Sequence, residues 1–276
     1  MKLNVTNVLF YASLGAVTAQ IPARNPVSVG PPLELMRLYF DEWPTGVAVS
    51  ASGRMFSCYP LGLDYNTRYQ VAELGSNNTE IPFPSAQVNS PSGGAVNYST
   101  NPPTTTGLSD YLMSVQSVVV DPKDRLWILD TGRALLSNGT LTTSNLGGPK
   151  LVGVGLTKTT VFQSILFPPT VAYPDSYLYD VRFDLRSSLT TSGQGIAYIT
   201  DSSSKVRNGI IVVDLGTGES WRYLENIPQV RPEPGFYASV WGDSVYMNAG
   251  SGMPISGVVF GADGITLSNY EDVLYF

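Results

Sequence analysis

Short apolar runs broken by turn residues set the rhythm of this chain, and the clearest case is Ser117 to Arg133. Val118 to Val120 form a first β-rich run, Asp121-Pro122-Lys123-Asp124 turns the chain, and Leu126 to Leu129 form a second run. Pro sets φ at the second position of such a turn, and Asp can bond its own backbone two residues on. Asp130-Thr131-Gly132 then ends the run, since strands disfavour Asp and Gly. The pattern predicts a hairpin buried on both faces.

The same register returns three more times. Gly46 to Ser50 turns through Gly53 into Met55 to Tyr59, Asp180 to Asp184 pairs across a longer loop with Ile196 to Asp201, and Gly264 to Ser268 turns into Val273 to Phe276. A strand pair returning every roughly 60 to 85 residues, with other short strands between, predicts an all-β chain, a β-propeller with long insertions. Each pair would be the inner hairpin of one blade. Tyr69 to Leu74 reads as a third strand, and Lys150 to Leu156 with Thr160 to Leu166 as outer strands. Ile210 to Asp214 and Ser220 to Leu224, parted by Gly216-Thr217-Gly218, complete a full blade. Gly75 to Ser109 is rich in Ser, Asn, Pro, Thr and Gly and reads as a long surface excursion. A short hairpin is expected around Trp241 to Met247, inside a less regular insertion from Pro228 to Val259. Gln20 to Pro32 is a Pro-rich lead-in, and Leu33 to Phe40 is expected to be a strand that pairs with whatever closes the ring.

Composition narrows the compartment and the chemistry. Of 276 residues only 14% are charged, 16 basic against 22 acidic, so nucleic acid and anionic membranes are poor partners. Val8 to Val17 followed by Thr18-Ala19 reads as a secretory leader over residues 1–19, ahead of a propeller domain over 20–276; a buried N-terminal strand is the other reading. Asn-x-Ser/Thr acceptors at Asn77, Asn97 and Asn138 fit an exported glycoprotein. No later run approaches the roughly 20 apolar residues of a membrane span. The single Cys58 permits no disulfide within the chain, and a buried thiol is expected. There is no histidine, which excludes Ser-His-Asp and Cys-His nucleophiles and His-ligated metals. Chemistry must use carboxylates, Tyr, Lys, Arg, backbone groups or an oxygen-liganded ion.

In a propeller blade the innermost strand descends beside the channel and the second climbs back. Residues before the first and after the second therefore share one face. The entries carry Thr45, Gln116, Asp180 and Asp263; the exits carry Tyr59, Asp130 and Asp201, with Tyr177, Tyr179 and Arg133 nearby. Such a mouth suits a cationic or polyhydroxyl ligand, Asp pairing an amine and tyrosines covering its apolar body. The competing reading is that Asp after a strand only caps its turn.

Arg125 to Gly132, Ala197 to Asp201, Gly209 to Asp214 with Ser220-Trp221-Arg222, and Gly261 to Ile265 resemble the major royal jelly protein and Yellow family. The resemblance implies a secreted six-bladed propeller that binds catecholamine- or indoleamine-like ligands and, in some members, converts pigment intermediates. The expected partner is a small aromatic amine or phenol, at Thr45, Gln116, Tyr179, Asp180, Asp263, Asp130 and Asp201. The lack of cysteine pairs departs from insect members and suggests a microbial, fungal branch. Four inner hairpins, where six blades need six, suggest a family member short of its last blades; a smaller ring closed by Leu33 to Phe40 is the alternative. Two other functions stay open. Glu42, Asp180 and Asp263 resemble part of the calcium set of propeller lactonases, so no cofactor is expected unless calcium is one. A surface-interaction glycoprotein with no small-molecule site is the third reading.

Overall fold

The computed structural model describes residues 30–205, 207–246, 257 and 259–276; the expected leader and most of the lead-in lie outside them. The first antiparallel sheet holds β1 (Gly46–Val49), β2 (Met55–Cys58), β3 (Val71–Leu74) and β4 (Glu80–Pro82) in that order. A small pair, β5 (Val96–Asn97) and β6 (Thr104–Thr105), precedes the second sheet of β7 (Val115–Val120), β8 (Arg125–Asp130), β9 (Lys150–Gly155) and β10 (Thr160–Leu166). The third sheet is β11 (Leu178–Asp184), β12 (Ile196–Asp201), β13 (Gly209–Asp214) and β14 (Ser220–Tyr223). Two further pairs follow, β15 (Ala238–Val240) with β16 (Asp243–Val245) and β17 (Thr266–Leu267) with β18 (Leu274–Tyr275).

The first strands stand side by side, β1 against β7, β7 against β11 and β11 against β17. Sheets whose first strands meet around a common centre while their later strands radiate outward are propeller blades. Three are four-stranded and the fourth is present as its inner hairpin among the described residues.

The hairpin of β7 and β8 explains the packing. Side chains alternate faces along a strand. Trp127 and Leu129 therefore enter the core shared with the third blade, while Leu126 and Ile128 enter the core shared with the first. Both faces are buried, as the apolar run predicts. Trp127 stacks on Phe183 of the next blade at 5.2 Å and meets Phe162 edge-on at 5.3 Å. Gly153 makes the room, because a Cβ there would collide with both the Phe162 and Trp127 rings.

Two expectations need correction. Glu80–Pro82 is the outer strand of the first blade, although it lies inside the stretch read as a surface excursion. Three residues ending in Pro are too short a run to show in the pattern. Buried Asn89, in the same stretch, takes the Gln70 and Val71 N–H groups on Oδ1 and donates Nδ2 to the Phe83 and Ser85 carbonyls. Leu33 to Phe40 forms no strand and does not close a smaller ring. It lies along the first blade, with the Arg37 guanidinium on the Thr79 carbonyl and the Glu80 carboxylate and the Tyr39 hydroxyl on Ser57.

Candidate functional site

The inner strands β1, β7 and β11 line a cavity of ≈ 360 Å³. Its wall includes Thr45, Gln116, Ser117, Tyr179, Asp180 and Arg182, with Val47, Val49 and Val119 as apolar surface. A local irregularity aims the polar members there. The pairing of β7 with β8 shifts between Val115 and Ser117, and that of β11 with β12 shifts between Leu178 and Val181. Gln116, Tyr179 and Asp180 are the residues left out of register. A bulge re-aims side chains where a strand would otherwise bury them, and bulges collect beside functional sites.

Hydroxyl bridges between blades hold the ring of entry residues. Thr45 Oγ1 donates to the Gln116 carbonyl at 2.8 Å, and Ser117 Oγ donates to Asp180 Oδ1 at 3.0 Å. Thr200 Oγ1 accepts the Asp180 N–H at 3.2 Å and donates to the Asp263 carbonyl at 2.7 Å. The buried Tyr177 hydroxyl donates to Gln116 Oε1 at 2.8 Å, and its ring lies 6.4 Å from that of Tyr179.

The two carboxylates differ in what they hold. Asp180 stands on the cavity wall, and its Oδ1 also takes the Val181 N–H and the Arg182 guanidinium at 2.7 Å, while Oδ2 makes no hydrogen bond to the described residues. Asp263 is not on the wall but behind it, its carbonyl on Thr200 and its buried Oδ1 without a hydrogen bond. Burial pushes the Asp263 carboxyl up to about 6, against the Ser202 hydroxyl and with help from the Asp180 charge. Burial also raises the Tyr179 phenol, and the Asp263 and Asp180 charges add to it.

Other expected site residues are not brought to this cavity. Asp130 is fully buried, accepting the Met113, Ser114 and Gly132 N–H groups and pairing with buried Lys150 at 3.1 Å. Asp201 does the same one blade on, accepting the Tyr177 and Ser203 N–H groups and pairing with Arg222 at 2.9 Å. Both therefore follow the capping reading. Tyr59 is sealed, with its hydroxyl on Glu80, and Arg133 is held by the Thr142 and Asp175 carbonyls. Glu42 is buried and takes the Thr67, Arg68 and Tyr69 N–H groups. Among the described residues no group of three or more His, Cys, Asp or Glu could hold a metal, so Glu42, Asp180 and Asp263 do not come together as one. Asn77 and Asn138 are exposed in the connections between strands, and Asn97 is half-exposed at the end of β5. Reading by position missed Ser117, Arg182 and Thr200; a polar residue beside each strand entry was the available signal.

A family model described as major royal jelly protein matches residues 113–276, more than half of the chain. The chain belongs to the major royal jelly protein family. No curated protein matches it. In this family member the matched region holds the second and third blades and the inner hairpin of the fourth, and so carries Gln116, Tyr179, Asp180, Arg182 and Asp263. Thr45, Val47 and Val49, the first-blade wall of the cavity, lie before it. Among the described residues no helix is long and apolar enough to cross a membrane.

Proposed function

We propose that this propeller is a secreted protein that binds a small aromatic amine or phenol at the cavity between β1, β7 and β11. The observation that carries the reading is the carboxylate of Asp180, on the cavity wall beside Tyr179: Oδ1 takes all of its donors and leaves Oδ2 for a cation, with the Asp263 carboxylate behind it. A ligand ammonium at the wall would pair with Asp180 in the field of a second carboxylate. Tyr179 and the valines of β1 supply the apolar cover that an aromatic body needs. Secretion is supported by the apolar leader and by the export typical of this family.

Calorimetric titration with dopamine and serotonin, with and without calcium, tests the proposal. Binding that ignores calcium is expected, with Asp180→Asn losing about 2–5 kcal/mol as one partner of a charge pair is removed. Asp263→Asn should cost less, because its carboxylate lies behind the wall. No binding heat, or affinity unmoved by Asp180→Asn, sinks the assignment.

A further inference from the structure

We infer that the cavity prefers an aromatic α-amino acid, bound as its zwitterion, to the corresponding decarboxylated amine. The inference rests on the proposed binding reading and names its ligand class. Arg182 lines the same cavity wall as Tyr179 and Asp180. Its two protein contacts, to Asp180 Oδ1 and to the Val181 carbonyl, both come from Nη1 at 2.7 Å. Nε and Nη2 make no hydrogen bond to the described residues, and the side chain is 35% exposed. That free edge of the guanidinium presents two parallel N–H groups, the geometry that holds a carboxylate through both oxygens.

Asp180 and Arg182 thus present two free groups of opposite charge side by side on one wall. The first is the acceptor Asp180 Oδ2, since Oδ1 takes the Ser117, Val181 and Arg182 donors, and the second is the donor edge of Arg182. A plain amine satisfies only the first. An α-amino acid carries an ammonium and a carboxylate on one carbon and satisfies both, while its ring lies against Tyr179 and the β1 valines. The ion pair with Asp180 fixes the guanidinium in place, so less freedom is lost when a carboxylate arrives.

The test compares L-DOPA, its methyl ester and dopamine on the unmodified protein by calorimetry, with L-tryptophan, its methyl ester and tryptamine as a second series. The expected result is that each amino acid binds about tenfold or more tighter than its amine, as one charge-assisted bidentate contact supplies. The methyl ester, which keeps the ammonium and loses the carboxylate charge, should fall to the level of the amine. In Arg182→Gln the gap between acid and amine should close. Amine and amino acid binding equally, or the gap surviving Arg182→Gln, overturns this inference and leaves amine binding standing. Binding by none of the six overturns both.

Discussion

Asp263 and Asp130 are both acidic residues at hairpin ends, and burial treats them oppositely. Asp130 has three N–H donors and the Lys150 ammonium. Asp130→Ala should therefore destabilise by about 3–5 kcal/mol, since it strands a buried cation, and a urea midpoint would read the loss. A midpoint unchanged within error would remove Asp130 from the core framework. Asp263 has an oxygen with no donor and a carboxyl raised to about 6. An acid raised in the folded state costs stability while ionised, so the fold should gain as pH falls through about 6 toward the unfolded value of about 3.9. By the same sign, Asp263→Asn should stabilise the protein at pH 7 by about 1 kcal/mol, the shift being discounted for solvent at this half-exposed residue. Ligand affinity should move the other way. Below about 6 the protonated carboxyl no longer adds its negative charge behind the wall, and affinity for an amine should fall, a dependence absent in Asp263→Asn. A pH-independent affinity between 7.5 and 5 would remove Asp263 from any part in binding. Cys58 shows the bland outcome of burial, its thiol pushed up to about 12 and its Sγ turned to the Gln116 carbonyl.

At the level of the element, a repeated contact joins neighbouring blades. The residue one before the exit of the second strand bonds an entry residue of the next blade: Cys58 Sγ to the Gln116 carbonyl, and Thr200 Oγ1 to the Asp263 carbonyl. A strand ladder satisfies its own backbone within a blade, so such side-chain bonds supply directionality between blades that apolar packing alone lacks. Thr200→Val keeps the shape and removes the hydroxyl between Asp180 N–H and Asp263. It should cost about 1–3 kcal/mol of stability, because the two backbone groups lose their shared partner, and it should also weaken amine binding. Stability lost with affinity intact would separate the bridge from the site. The bulges before Ser117 and Val181 belong to this scale as well. Without them Gln116 and Asp180 would follow the ladder's alternation instead of lining the cavity.

Taken whole, the molecule places its acceptor sequons away from its cavity wall. Asn77 lies in the β3–β4 turn, Asn97 ends β5, and Asn138 lies in the loop between β8 and β9. The segments bearing the last two are joined, with Thr105 N–H on the Thr143 carbonyl at 3.0 Å. Expression with the native N-terminus in a glycosylating secretory host should deliver the chain to the medium. Enzymatic removal of N-glycans should then lower its mass, and substituting Asn77, Asn97 and Asn138 together by Gln should abolish that shift. Retention in the cell, or an unaltered mass, would count against export.

The amino-acid sequence alone determined the four inner hairpins, the outer strands of the second and third blades and the family, because alternation and turn chemistry are local and appear in any window of a few residues. It also located Thr45, Gln116, Tyr179 and Asp180, since position within a hairpin specifies one face of a blade. Only the tertiary structure decided which carboxylates are available. Asp130, Asp180 and Asp201 look alike as Asp at a strand boundary, yet Lys150 and Arg222 reach the first and last from other strands, and only Asp180 stands on the cavity wall. Partner choice over such separations depends on how blades stack, and no local pattern encodes it.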